Sequence, residues 1–237
     1  MKKVGFVLVG LMSLLTGINA SAEDYMIEDN FKVSGIVDVL MGVDGSDSFV
    51  NVTGDISYQR FEKEEKGIGI ELNLKMDNQE DVLNYAWYAY GGEDSFKVYY
   101  KSVDGWDVLD VNAEEVLSSG ITYEDIISLV DSADENGNVE LSRVLSLWGT
   151  GTDEDSERRL KVSEKRNQDD LLEGVELSTL DGEGVGVELE KGLHIVLKDS
   201  KAIFTFSYDE DFTVPEEVIN EAEENKSQRV ISEMLGE

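Results

Sequence analysis

The chain has 237 residues, 41% of them hydrophobic, enough for one large all-β or α+β domain with a real core. Its formal net charge of −32 repels nucleic-acid phosphates and anionic lipid head groups, so binding to either by charge is excluded. Cysteine is absent and histidine occurs once, which removes disulfides, Cys–His catalysis and zinc sites built from those residues.

At the N-terminus Lys2 and Lys3 precede the apolar run Val4 to Leu15, and Ala20-Ser21-Ala22 supplies an A-x-A cleavage signal. This is the layout of a cleaved secretory signal peptide over 1–22. The apolar run is shorter than the ~20 residues a spanning helix needs, so no transmembrane anchor is expected in the mature protein. Cleavage there removes two lysines and no acid, and no cysteine follows to carry a lipid. The expectation is a bacterial protein exported across the cytoplasmic membrane into the secreted or cell-envelope space, not lipid-anchored, with a single domain over 23–237.

A first meander is predicted over 31–111. Phe31, Val33, Val37, Val39 and Met41 alternate with polar or small residues, and Asp44 to Asp47 reads as a turn. Val50 to Tyr58 alternates again, followed by a charged link from Arg60 to Lys66. The run Ile68 to Met76 is the clearest strand. Ile68, Ile70, Leu72, Leu74 and Met76 fall on one face, and glycine or polar residues on the other. Leu83 to Tyr90 has bulk on both faces, so it is covered on both sides or lies beside a ligand. Phe96 to Val103 and Trp106 to Val111 flank the hairpin signal Asp104-Gly105.

A helical insert is predicted over 112–148. Asn112 caps a first helix that Gly120 ends, and Thr122 caps a second with Asp125 answering it. A third spans Val139 to Trp148, with Leu141, Val144, Leu145 and Trp148 at helical spacing. The amphipathic insert is expected to cover the apolar side of Ile68 to Met76. A second meander over 157–208 holds strands at Arg158–Lys165, Gly174–Leu180, Gly184–Glu190, His194–Lys198 and Ala202–Tyr208. Asp181-Gly182 and Asp199-Ser200 read as turns. A C-terminal helix over 213–235 opens on Thr213-Val214-Pro215-Glu216, with Thr213 as cap and Pro215 in the first turn. The fold class is α+β: a large curved antiparallel sheet, half-barrel-like, covered by the helical insert and the C-terminal helix.

Sites are few. His194 lies at a strand start with no G-x-S-x-G elbow anywhere, and nothing singles out two carboxylates among 52 acids. No catalytic residue is predicted, and the chain is read as a non-enzyme. Gly182-x-Gly184-x-Gly186 precedes a strand and is a hairpin, not a dinucleotide loop. Aligned on Gly137, Ser132 to Arg143 resembles an EF-hand calcium loop, with Asp134, Asn136 and Asn138 at ligand positions. Ser132 and Arg143 stand where acidic ligands belong. No cofactor is therefore expected, with calcium at this loop the one open possibility. The apolar face and the aromatic strand nominate Ile70, Leu72, Leu74, Met76, Tyr85 and Trp87 as ligand-lining. The other reading of the aromatics is cross-strand pairing in a core.

The signal-peptide layout, the meander ending in an aromatic strand, Asp104-Gly105 and Trp106, and Phe212-Thr213-Val214-Pro215-Glu216-Glu217 entering a helix together resemble the LolA/LppX-like extracytoplasmic group. That group includes secreted proteins and lipoproteins of Gram-positive bacteria. The resemblance implies a curved half-barrel whose concave apolar face, under helices, carries lipids or lipoprotein acyl chains. The chain departs from the group in lacking the lipid-anchoring cysteine. Two functions follow. One is a secreted non-enzymatic binding protein that holds a lipid or other hydrophobic small molecule between sheet and helices. The alternative is an envelope-associated or extracellular protein-interaction module with a filled core.

Overall fold

A computed structural model describes residues 30–43, 48–62, 66–76, 82–92, 96–102, 105–111, 120–146, 159–180, 185–189, 193–208 and 211–235. Among the described residues the chain forms eleven strands of one antiparallel sheet. They are β1 (Phe31–Val43), β2 (Phe49–Glu62), β3 (Lys66–Met76), β4 (Val82–Gly91), β5 (Phe96–Ser102), β6 (Gly105–Val111), β7 (Asn138–Glu140), β8 (Arg159–Arg166), β9 (Leu172–Thr179), β10 (Val185–Leu189) and β11 (Leu193–Ser207). Helices are α1 (Tyr123–Asp131), α2 (Leu141–Ser146) and α3 (Glu216–Leu235). Among the described residues no helix is long and apolar enough to cross a membrane.

The sheet order is β6-β5-β4-β3-β2-β1-β11-β9-β8-β7, and β10 pairs separately with β11. The α+β sheet expected from the sequence is therefore present. Its two meanders are joined edge to edge through β1 and β11. One difference concerns Asp199-Ser200, read as a turn between two strands. β11 runs straight through it against β1, with a bulge at this point and Asp199 at φ 48°. Both flanking segments have the same partner strand, so a bulge costs less than a reversal would. The buried Ser200 accepts the Leu40 amide on its Oγ at 3.1 Å and donates its own amide to Thr179 Oγ1 at 2.9 Å.

The charged link also differs from expectation. β2 continues to Glu62, and Arg60 is buried within it, paired with Glu62. The turns expected at Asp44–Asp47 and Asp181-Gly182 and the helix capped by Asn112 lie outside the described residues, as does Trp148.

The sheet has two apolar faces. Phe31, Val33, Val37 and Met41 on β1 and Ile68 to Met76 on β3 share the inner face. At one end of it, α1 and α2 bring Tyr123, Leu129, Val130, Leu141 and Val144 onto Phe31, Val33, Leu160, Val162 and Phe206. Thr122 caps α1 with the reciprocal bonds of a capping box, its Oγ1 accepting the Asp125 amide at 3.1 Å. The Tyr123 hydroxyl accepts the Leu172 amide at 2.9 Å, and the Tyr208 hydroxyl donates to the Leu172 carbonyl at 2.7 Å. These bonds close the backbone where a second bulge, at Lys165/Arg166, interrupts the β8–β9 ladder.

The third predicted helix starts later than its periodicity indicated. Val139 belongs to β7, paired with Leu160, and α2 begins at Leu141. Val139 is buried in the strand, and a buried valine suits a helix as well, so its hydrophobicity alone does not separate the two.

At the β4–β6 end the opposite face is covered by α3. Val218 and Ala222 pack on Tyr88, Tyr99, Val108 and Phe212, beneath which β4 and β5 lie. The helix begins at Glu216, and the Pro215 carbonyl accepts the Ile219 amide at 3.2 Å, so the start falls past Thr213. Phe212 presses flat on the sheet at Gly67 and Gly69, where a Cβ at Gly67 would sit 2.6 Å from its ring. The glycines that look like a wet face in sequence are thus the seat of an aromatic ring, stacked in turn on Tyr90 at 5.7 Å.

Candidate functional site

The nominated ligand-lining residues are brought together by register. Ile70 faces Trp87 and Leu72 faces Tyr85 across β3–β4, and Met76 faces Val52 across β2–β3. Leu72 and Leu74 form a cluster with Val37, Met41 and Val52, bordered by Tyr85 and by Leu197 and Ala202 of β11. Among the described residues this cluster draws on the sheet alone. The described helices of the insert, α1 and α2, pack further along the same face, against β1, β8, β9 and β11, while Gly120 of the insert closes against Ile68. Leu72 is 2% exposed, and Ile70, Leu74 and Met76 are also buried. Tyr85 and Trp87 are half-buried, and burial holds the Tyr85 hydroxyl above the ordinary phenol range.

The EF-hand-like segment keeps part of that frame. It joins α1 to β7 and α2, and Gly137 takes φ 77°, the left-handed conformation the loop glycine needs. Asp134 is engaged by the protein itself. Its Oδ1 accepts the Asn136 and Asn138 amides at 2.8 and 2.9 Å, and its Oδ2 accepts Asn138 Nδ2 at 3.2 Å and the Arg159 guanidinium at 2.9 Å. These bonds, that from the Asn138 amide foremost, hold its carboxyl below the usual aspartate range. Ser132 turns back to bond the Leu129 carbonyl at 2.6 Å, and Arg143 is exposed. Asn136 and Asn138 serve the turn, and the cation held by Asp134 is the Arg159 guanidinium. Among the described residues no three His, Cys, Asp or Glu side chains gather as a metal site. His194 lies in the β10–β11 pairing opposite Glu188.

The sequence pattern did not reveal a groove on the outer face of β11, β1, β2 and β3, of about 290 Å³. At its centre Ile36 and Ile203 are cross-strand neighbours, 64% and 44% exposed. Beside them run Ser34 opposite Thr205, and Asp55 opposite Ile36. Glu71 lines the far side, its Oε1 accepting the Tyr88 hydroxyl at 2.7 Å. Burial and this bond raise Tyr88 far above the ordinary phenol value, so it stays a donor and keeps Glu71 oriented. A signal for the groove was present: Ile36 and Ile203 fall out of phase with the apolar residues of their own strands.

No family model, curated protein or solved structure matches this chain. Its function therefore has to be read from its own geometry.

Proposed function

We propose that this is a non-enzymatic binding protein that works through its surface, a protein-interaction module with a packed core. The observation carrying the reading is the burial of Leu72, 2% exposed in a cluster that, among the described residues, is drawn from the sheet. A side chain lining a hollow large enough for an acyl chain keeps free surface facing that hollow, and the inner-face residues nominated for that lining on β3 keep little. The carrier function implied by the LolA/LppX-like resemblance needs such a hollow. The signal-peptide layout of residues 1–22 supports action outside the cytoplasmic membrane.

Native mass spectrometry of protein purified from its host, alone and after addition of fatty acid or phospholipid vesicles, tests the choice. The expected spectrum shows only the bare polypeptide mass. A lipid-sized adduct that survives purification overturns the reading in favour of a carrier.

A further inference from the structure

The outer groove has a composition that selects its occupant. Two isoleucines stand exposed side by side at its centre, an uncommon arrangement on a strand face turned to solvent. The charged groups lining it are Asp55 and Glu71, both carboxylates. Lys201, next on that face of β11, is already paired with Glu176 at 2.8 Å. Ser34 and Thr205 add hydroxyls at the edge. At about 290 Å³ and open along one side, the groove accepts a projecting side chain and leaves most of its owner outside.

Charge then decides between possible owners. A second copy would bring another −32 against the same face, and an anionic bilayer would be repelled likewise. A cationic segment is attracted from a distance by the whole molecule and met at the groove by Asp55 and Glu71. We propose that the outer groove docks a basic polypeptide partner, seating an aliphatic side chain against Ile36 and Ile203 and the flanking lysines or arginines on Asp55 and Glu71. This deepens the surface-interaction reading above and rests on it.

The test uses a short labelled peptide of alternating lysine and leucine, with a lysine–serine peptide as the charge-only control, followed by fluorescence anisotropy against the full chain. The lysine–leucine peptide should bind more tightly than the control and weaken as salt is raised. The double variant Ile36→Ser, Ile203→Ser should lose roughly tenfold in affinity for it, the size expected for uncovering two partly buried apolar contacts. Asp55→Lys should lose as much, while Glu124→Gln on α1 should bind as the parent does. Unchanged melting temperature checks that the variants fold. Equal binding of the two peptides, no binding of either, or an isoleucine variant that binds like the parent overturns the groove as the site. A lipid adduct in the mass spectrum overturns the parent reading instead, so the two failures are separable.

Discussion

Leu72 and Ile36 are both aliphatic residues on central strands, yet they face opposite environments. Leu72 lies in a buried cluster with Leu74, Val37 and Val52, whereas Ile36 projects into solvent. Truncating a leucine in a close-packed interior removes its contacts and leaves a void. Leu72→Ala should therefore cost about 3 kcal/mol in urea denaturation. Ile36→Ala should stay within about 0.5 kcal/mol of the parent. A Leu72→Ala cost no larger than that of Ile36→Ala would mean that the inner face is loosely filled rather than packed. The inner residue was legible because its alternation with polar neighbours assigns a face. Ile36 was hidden because a single out-of-phase residue reads as noise until its partner, Ile203, is known, and that partner is set by pairing between distant strands.

Among the elements, α3 shows how the polar half of a helix can serve a sheet. Among the described residues β6 ends the strand order, and its backbone groups facing away from β5 have no strand beside them there. At Trp106 the helix supplies what a further strand would. Glu221 accepts the amide at 3.0 Å and Asn225 donates to the carbonyl at 2.8 Å. Lys226 reaches Asp110 at 2.9 Å, and Glu223 pairs with Lys97. The double variant Glu221→Ala, Asn225→Ala should raise amide hydrogen exchange in β5 and β6 while leaving β8 and β9 unchanged. Protection lost evenly over the sheet would refute a local clamp.

The helix itself was readable from Pro215 and from Val218, Ile219 and Ala222, which fall on one helical face. Its face was not, because Gly67 and Gly69 carry no side chain to announce that Phe212 sits on them. β11 shows the opposite error. Asp199-Ser200 has turn composition, but the pairing of both flanking segments with β1 overrides that local preference. β7 is too short for any periodicity to register, and its strand state comes from Leu160 opposite Val139.

At the scale of the whole molecule, the β1–β11 ladder makes one sheet from two meanders that composition alone would allow to fold apart. Side chains from both halves then share clusters. Val33 packs with Val175 and Phe206, and Met41 is bordered by Leu197 and by Leu83 of β4. Unfolding should accordingly be a single transition. Tryptophan fluorescence of a Trp148→Phe variant, reporting Trp87 and Trp106 on the first meander, and far-ultraviolet circular dichroism should trace the same urea curve. Two separated midpoints would show that the halves are independent domains.

The same ladder has a consequence for the order in which the chain is made. Leu40 meets Ser200 across 160 positions of sequence, so β1 cannot be completed until almost everything after it exists. Throughout synthesis it has β2 on one side and, on the other, an open row of amides and carbonyls. Closing so long a loop is slow, and the waiting edge is the kind that pairs with a neighbouring nascent chain. Every such neighbour carries the same excess of acid, so mutual repulsion guards the unfinished edge during the interval before β11 arrives.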